Sequence, residues 1–443
     1  MRPTHGRYAA EVPQRLVVRG ARWPGDIAIE DGWITAVGSV PEQPGDDVQR
    51  VDGDIVTAGL VNTHHHLYQW LTRGQAVGCD LFGWLTELYP VWGRIEVDDV
   101  AAAALVGLGE LALSGCTTAF DHHYLVPRGD DQVFDATVSA ARTVGLRLHV
   151  SRGSMDLGES RGGLPPDHVV EDIDAILSST ERILRELHNG ESVTLVVAPC
   201  SPFSVSPELM RESAVLARRH GLRLHTHLAE TVEENAYCLE HLGARPLDLM
   251  DEWEWLADDV WFAHGVHFAD DEVRRIGAAG AGVAHCPSSN ARLAAGIARV
   301  TDLEAAGAPV GLGVDGVASN EVGRLFPEMR QALYAARLRG PRADTFMPAD
   351  ALRLATEGGA RCLGRTDIGG LEVGARADLA VWPGYDLADI ADAVTALVLG
   401  PDRPVRHLLV GGEWVVRDGT LVGVDLTAVR RDLATRAARL RGY

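Results

Sequence analysis

Residues 62–69 read Asn-Thr-His-His-His-Leu-Tyr-Gln and directly follow the apolar run Ile55–Val61. A short apolar run of this kind is typical of a buried strand, so we expect the histidines at the carboxyl end of a strand. Side chains two residues apart share a face, and His64 and His66 therefore point into the fold while His65 points away. Two imidazoles on one face can hold a metal ion, although a hydrogen-bonded histidine cluster would show the same pattern.

The middle of the chain alternates apolar strand runs with helical stretches rich in Ala, Leu and Arg, which predicts βα units and a parallel sheet. Eight candidate strands begin near Leu60, Thr117, Leu146, Thr194, Leu222, Val260, Gly282 and Pro309. Eight such units in about 280 residues predict an α/β fold, a (β/α)8 TIM-like barrel. The Trp- and Leu-rich segment 74–95 is predicted to be an insertion, and the Gly/Pro-rich segment 151–167 a loop over the barrel top.

Both ends of the chain read as short strands separated by turn residues. Runs at 15–19, 26–30 and 33–37 open the chain, and runs at 379–382, 407–410 and 413–416 close it, followed by a helix over 425–441. One hairpin is not stable alone, so we expect the two ends to form one composite β-sandwich domain. The predicted organisation is 1–57 and 371–443 for this domain, with a catalytic barrel over 58–370.

Composition excludes several classes of function. The 443 residues carry a formal charge of −21, which argues against nucleic acid or an anionic membrane as a partner. All 41 basic residues are arginine, and this removes Schiff-base, lysine-anchored pyridoxal phosphate and P-loop chemistry. The six cysteines form no C-x-x-C pair, and neither a secretory h-region nor a run of about 18 apolar residues is present. These features predict a cytoplasmic protein with reduced thiols.

Three further polar signals end predicted strands. The stretch Leu224–Glu230 places His227 on an inward face, and Glu230 follows within reach of a metal-bound water, unless it is a solvated residue at a helix start. His264 ends the run VWFAH, and Asp315 follows VGLGV. With the first motif, these residues fall at the carboxyl ends of strands one, five, six and eight, the face on which barrel enzymes hold their chemistry. Three histidines and a carboxylate suit Zn²⁺, or another borderline metal such as Fe²⁺.

The motifs GLVNTHHH, LHTHLAE, AHGVHF, HCPSSN and GVDGVASN resemble those of the amidohydrolase superfamily over nearly the whole chain. Many members hold two metals bridged by a carboxylated lysine, and a chain without lysine is similar instead to the mononuclear deaminases. The resemblance implies one divalent metal, zinc or alternatively iron, and a homo-oligomer. It implies metal ligands His64, His66, His227 and Asp315, and catalytic residues Glu230, His264 and Asp315.

Within that branch, NTHHHLYQ, FGWLTELYPVW, DHHYLVP and APCSPFSV look most like the deaminases that act on 8-oxoguanine. Their resemblance implies a small heterocyclic substrate, with deamination at C2 to give urate and ammonia. It implies substrate contacts from Gln69, Trp92, Tyr124 and Cys200, although Trp92 and Tyr124 also fit a core or lid. Cys200 stands where guanine deaminases carry an arginine, which favours the 8-oxo purine over guanine.

Alternatives remain open at this point. Guanine, isoxanthopterin or an s-triazine could be the substrate of the same machinery, and Glu230 favours deamination because some triazine hydrolases lack it. A non-catalytic metal-binding barrel would be expected to have lost some of the ligands. A glycosidase needs two opposed carboxylates, and no such pair ends the predicted strands. Which of His122 and His123 faces the pocket is undecided.

Overall fold

The computed structural model describes residues 15–442. In chain order its strands are β1 (Leu16–Arg19), β2 (Asp26–Glu30), β3 (Trp33–Gly38), β4 (Asp47–Arg50), β5 (Ile55–Ala58), β6 (Leu60–Asn62), β7 (Cys116–Asp121), β8 (Arg147–Ser154), β9 (Val193–Pro199), β10 (Arg223–Leu228), β11 (Val260–His264), β12 (Gly282–His285), β13 (Val310–Leu312), β14 (Leu379–Trp382), β15 (His407–Val410), β16 (Glu413–Arg417) and β17 (Thr420–Leu421).

The helices are α1 (Leu81–Trp92), α2 (Val97–Leu113), α3 (Gln132–Val144), α4 (Ile173–Glu186), α5 (Pro207–Arg219), α6 (Val232–Tyr237), α7 (Pro246–Glu252), α8 (Asp270–Ala279), α9 (Pro287–Arg292), α10 (Val300–Ala305), α11 (Phe326–Arg339), α12 (Pro348–Arg353), α13 (Gly359–Cys362), α14 (Ala393–Leu399) and α15 (Leu426–Arg441). Short 3₁₀ turns occupy Leu67–Thr72, Pro127–Gly129, Glu159–Arg161, Asp167–Val169, Ala343–Thr345 and Tyr385–Leu387, and π turns occupy Cys238–Leu242 and Leu354–Gly358.

Strands β6 to β13 form one parallel sheet of eight strands in sequential order. The sheet curls until its edges meet, where Thr63 N–H donates to Leu312 O at 2.9 Å and Asp315 N–H donates to His64 O at 2.9 Å. Each of the eight strands begins within one residue of the position that its apolar run indicates. The predicted TIM-like barrel is confirmed, and its carboxyl ends gather the polar motifs at one face.

One boundary differs from the prediction. Segment 151–167 was expected to be a loop throughout, but β8 continues to Ser154 because residues Ser151 to Ser154 pair in register with Val196 to Pro199 of β9. The loop starts only after that point. The neighbouring insertion 74–95 carries α1, whose buried face covers the barrel top.

The two ends of the chain pack against each other as expected. Strands β1 to β4 form one sheet, and β5 joins the C-terminal strands in the order β17-β16-β15-β14-β5. A shared core that includes Val18, Ile29, Val56, Leu379 and Leu409 fills the space between the sheets. The composite β-sandwich is thus confirmed, whereas its division from the barrel at 57/58 and 370/371 stays a prediction, and residues 1–14 lie outside the described part.

The terminal helix lies within the predicted range. Asp425 caps α15 by accepting from Ala428 N–H at 3.0 Å, and Arg439 and Arg436 of this helix pair with the buried Asp99 of α2. These contacts hold α15 against the outside of the barrel. Among residues 15–442, no helix combines the length and the apolar character that a membrane crossing requires.

Candidate active site

Three buried imidazoles meet at the carboxyl ends of β6 and β10. His64 and His66 follow β6, and His227 lies on β10. The Nε2 atoms of His66 and His227 are 3.1 Å apart, and the rings of His64 and His227 lie with centroids 4.9 Å apart. The closed barrel therefore brings together, at one end, histidines that are about 160 residues apart in sequence.

The outer nitrogens of two of these rings fix their tautomers. His66 Nδ1 lies 2.6 Å from His122 O, and His227 Nδ1 lies 2.7 Å from Cys200 O. A carbonyl oxygen only accepts, so each Nδ1 carries the proton and each Nε2 of the neutral ring presents a lone pair. Burial keeps the rings neutral, because it lowers the pKa of His66 to about 3 and holds that of His227 well below its ordinary value.

The tautomer of the third ring, His64, is fixed through a second histidine, His225. His225 Nδ1 donates to Trp261 O at 2.8 Å, which leaves His225 Nε2 as an acceptor 2.9 Å from His64 Nδ1. His64 Nδ1 is therefore the donor, and its Nε2, which has no hydrogen-bond partner among the described residues, is a bare lone pair. All three inward nitrogens are thus unprotonated.

Asp315, just beyond β13, brings a carboxylate to the same point. Its Oδ1 lies 3.5 Å from His64 Nε2 and 3.3 Å from His66 Nε2. Ser289 Oγ donates to Oδ2 at 2.6 Å and Gly316 N–H donates to Oδ1 at 2.7 Å. Burial by itself would raise the pKa of Asp315, but the surrounding imidazoles, His64 foremost, outweigh it and hold that pKa well below the usual value.

These four groups fit a divalent metal. Two bare nitrogens 3.1 Å apart repel each other and have no proton to share, so a cation between them is the arrangement that stabilises the pair. Ligand atoms of a tetrahedral site with bonds of about 2.1 Å lie about 3.4 Å apart, close to the separations seen here. Three imidazole nitrogens and one carboxylate oxygen suit a borderline ion.

The structure also separates the two histidines that follow β7. His122 faces the cluster, and one of its ring nitrogens lies within 4.8 Å of ligand atoms of His64, His66 and His227. Its Nε2 is 2.9 Å from Ala198 O, and its Nδ1 has no partner among the described residues. The ring of His123 turns elsewhere, with Nε2 2.7 Å from Leu125 O.

Beside the metal-binding cluster, a second acid–base pair is buried. Glu230 Oε2 lies 3.6 Å from His264 Nε2, which is 3.9 Å from Asp315 Oδ2. Burial raises the pKa of Glu230 to about 7, a value suited to a group that must give and take a proton near neutrality. Burial opposes protonation of His264, but Glu230 and Asp315 outweigh it and raise its pKa. His264 Nδ1 faces Asn290 Oδ1 at 3.0 Å, so its Nε2 faces the two carboxyl groups.

Backbone strain concentrates at the same place. Ala229, His264 and Asp315 have φ values of +52°, +72° and +65°, in the left-handed region that non-glycine residues rarely adopt. Each costs on the order of 1–3 kcal/mol and persists only where surrounding contacts enforce it. Two of these residues carry candidate catalytic side chains, and the third immediately precedes Glu230.

A cavity lies above these groups, bounded by the barrel top and by α1. It is lined by His66, Gln69, Leu81, Trp84, Leu85, Tyr89, Tyr124, Cys200, Phe203, His227, Glu230, His264, Leu293, Asp315 and Ser319. Both amide atoms of Gln69 are buried and have no hydrogen-bond partner among the described residues. An unpaired buried amide is costly, and the cavity therefore offers a donor and an acceptor for a polar ligand.

The predicted substrate contacts divide into two groups. Gln69, Tyr124 and Cys200 line the cavity. Trp92 does not line the cavity. It is fully buried at the end of α1, about one turn after Tyr89, and its Nε1 donates to Thr72 Oγ1 at 3.0 Å. The aromatic side chains that α1 does place in the lining are Trp84 and Tyr89, which share the buried face of the helix with Trp92. The 3.6-residue period marks that face but not the height of each side chain along it.

Several supporting residues had not been singled out from the sequence. Glu234 accepts from the backbone N–H groups of Ala229 and Glu230. Ser289 donates to Asp315, and Asn290 holds His264. A signal for Glu234 existed: Thr231 and Glu234 form the T-x-x-E spacing of a capping box at the start of α6. For Ser289 and Asn290, the HCPSSN stretch at the end of a strand was the only indication.

Comparisons with known proteins agree with this geometry. The amidohydrolase family matches residues 55–415. The chain is 47% identical to 8-oxoguanine deaminase of Pseudomonas aeruginosa, covering 94% of this chain and 95% of that protein. It is 36% identical to isoxanthopterin deaminase of an unknown prokaryotic organism, covering 96% and 92%. The zinc-complexed atrazine chlorohydrolase of Arthrobacter aurescens TC1 superposes with a TM-score of 0.90 at 30% identity, covering 95% of this chain and all of that one. The chain belongs to the amidohydrolase family.

Proposed function

We propose that this protein hydrolyses the amino group of 8-oxoguanine, giving urate and ammonia. The observation that carries the proposal is the unpartnered Gln69 amide in a cavity whose floor holds Glu230, His264 and the metal-binding cluster. The 47% identity to an 8-oxoguanine deaminase over 94% of the chain supports the substrate. An aminohydrolase for a related heterocycle, such as a pterin, is the second candidate, supported by the isoxanthopterin relative.

His64, His66, His227 and Asp315 would hold the ion, for which we propose Zn²⁺ because a solved relative is complexed with zinc. When bound, such an ion lowers the pKa of a coordinated water toward neutrality. The remaining chemistry belongs to the side chains of the site. The new bond joins the water oxygen to C2, and the bond that breaks joins C2 to the amino nitrogen.

Glu230 gives its proton to the ring nitrogen beside C2, which withdraws electron density from that carbon. Asp315 accepts the proton that the attacking water loses. His264, whose Nδ1–H is held by Asn290, directs Nε2 to the attacking oxygen and stabilises the charge that develops there. Asp315 then passes its proton to the amino nitrogen, and the bond between C2 and that nitrogen breaks as ammonia leaves. The proton of the hydroxyl group on C2 returns to Glu230 as the new carbonyl forms. Gln69 orients the ring by pairing with an adjacent C=O and N–H on a lactam edge.

Ammonia release from metal-replete enzyme tests the proposal directly. The panel is 8-oxoguanine, guanine, isoxanthopterin, cytosine and a hydroxylated aminotriazine. We expect kcat/KM for 8-oxoguanine to exceed that of each other compound by about tenfold or more, because Cys200 lines the cavity where guanine deaminases carry an arginine. Urate should form in step with ammonia. Turnover of only the pterin or the triazine would keep the reaction and refute the substrate, and no turnover at all would refute both.

The metal ligands are tested by metal content. We expect about one equivalent of zinc per chain, and less than about a fifth of that in His64→Ala. His225→Phe removes the acceptor that fixes the His64 tautomer, together with the donor to Trp261 O, but leaves the four proposed ligands in place, so it should weaken zinc binding by about 10- to 100-fold without abolishing it. His123→Ala is the matched control, a buried histidine outside the cluster, and should retain the metal. Full metal content in His64→Ala would exclude that residue as a ligand.

Glu230→Gln tests the proton donor. The amide keeps the size of the side chain but has no acidic proton, so we expect kcat to fall by about 10²- to 10⁴-fold with the zinc content unchanged. The control Glu233→Gln alters an exposed glutamate three residues further on and should leave kcat unchanged. A Glu230→Gln enzyme that turns over at the wild-type rate would rule out this role.

Gln69→Ala tests the reading of the ring. Removal of the amide should raise KM for 8-oxoguanine by about tenfold or more, since a buried polar edge of the substrate would lose its partner. Zinc content should stay at the wild-type level because Gln69 is not among the proposed ligands. Unaltered KM and kcat for this variant would place Gln69 outside the substrate contacts.

A further inference from the structure

The side chain of Glu234 is fully buried beside the active site, and its two oxygens face the backbone rather than the cavity. Oε1 accepts from Ala229 N–H at 2.8 Å, and Oε2 accepts from Glu230 N–H at 2.8 Å. Its own N–H is capped by Thr231 Oγ1 at 3.3 Å. In an ordinary capping box the glutamate reaches the N-cap amide, whereas here it reaches the two residues before it.

The opposite side of the same backbone is also held. Ala229 O accepts from Val266 N–H and from His267 N–H, both at 2.9 Å, and Leu228 O accepts from Gly265 N–H at 3.1 Å. The turn that supplies these donors begins directly after His264. The short segment 228–230 is therefore fixed by a carboxylate on its N–H side and by the 265–267 turn on its C=O side.

This arrangement explains how the strained backbone is kept in place. Ala229 has φ +52° and His264 has φ +72°, conformations that relax unless contacts oppose them. A carboxylate buried with two N–H donors makes charge-assisted hydrogen bonds, which are stronger than neutral ones. Loss of either bond would allow the peptide before Glu230 to rotate, and the distance of 3.6 Å between Glu230 Oε2 and His264 Nε2 would then change.

We propose that Glu234 is a positioning residue for the proton-transfer step, because it fixes the backbone that holds the Glu230 carboxyl group beside His264, where it can give its proton to the ring nitrogen of the substrate. The proposal rests on the proposed function of Glu230 and adds to it a group that does not line the cavity. Glu234 moves no proton itself and acts through Glu230 alone. This last property separates it from a residue that merely stabilises the fold.

Glu234→Gln is the decisive variant, since its amide keeps the shape but turns an NH₂ toward one of the two N–H donors. We expect kcat for 8-oxoguanine to fall by about 10- to 100-fold, with KM within about threefold and zinc content unchanged. Glu233→Gln, its exposed neighbour, should match wild type. A parallel loss of zinc, or a rise in KM without a fall in kcat, would overturn the proposal.

A double-mutant cycle distinguishes positioning from stability. In the Glu230→Gln background the group to be aimed is already gone, so adding Glu234→Gln should lower the residual kcat by less than about threefold. An equal fall in both backgrounds would show an effect that does not pass through Glu230. If Glu234→Gln does not fold, Glu234→Asp, which shortens the reach of the carboxylate, takes its place with the same expectations.

A measurement without substrate keeps this inference separate from the proposed reaction. Amide hydrogen exchange at Ala229 and Glu230 should be slow in wild type and in Glu233→Gln, and at least about tenfold faster in Glu234→Gln. Unchanged protection would show that the carboxylate does not hold these amides and would refute the proposal. A wild-type enzyme that deaminates nothing in the panel would instead refute the proposed function while these exchange rates still decide the contact.

Discussion

The unprotonated Nε2 atoms of His66 and His227 lie 3.1 Å apart and have no proton to share. The arrangement of the other groups at the barrel top depends on this constraint. The Nε2 atoms carry no proton because the Nδ1–H group of each ring donates to a main-chain carbonyl of a neighbouring segment. The acceptor is His122 O for His66 and Cys200 O for His227. For His64 the carbonyl acts through His225, which donates to Trp261 O on β11. The tautomers thus follow from the register of the parallel strands, because the carbonyl groups that accept from the histidine rings lie on or just after neighbouring strands of the barrel.

Buried carboxylates then hold the loops that carry the reacting groups. Asp121 accepts from Leu67 N–H at 2.8 Å, next to the histidine motif. Glu328 of α11 accepts from Ser288 at the start of α9 and from Asn320 on the loop that carries Asp315. Burial raises the pKa of Asp121 and of Glu328 to about 7 in each case. With Glu234, each of these acids accepts hydrogen bonds from a loop that follows a barrel strand. Burying these acids costs free energy, which their hydrogen bonds to the loops offset, and the same hydrogen bonds hold the loops in place.

Prediction from sequence succeeded where the signal was periodic and local. Alternating strand runs placed all eight barrel strands, and the run Leu224–Glu230 indicated correctly that His227 faces inward. It failed where the outcome depended on tertiary contacts. The pairing of β8 with β9 extended a strand through a Gly-containing segment, and helix periodicity could not tell Trp92 from Trp84 and Tyr89. Glu234 could have been found from its capping-box spacing, but the two amides that it holds depend on the fold of the loop.

The residue after Asp315 links the proposed substrate contact, Gln69, to the metal-binding cluster. A Cβ atom on Gly316 would lie 1.8 Å from Gln69 Oε1, so the unpaired amide is seated directly against the backbone that positions the carboxylate. Gln69 is fixed from its other side, because its N–H donates to His66 O at 3.0 Å within the turn that begins after that histidine. The amide that we propose as the reader of the ring therefore sits between two of the proposed ligands, one on each side in the fold. A substrate edge that pairs with Gln69 is placed at a fixed distance from the cluster, so recognition and the position of attack are set by the same backbone.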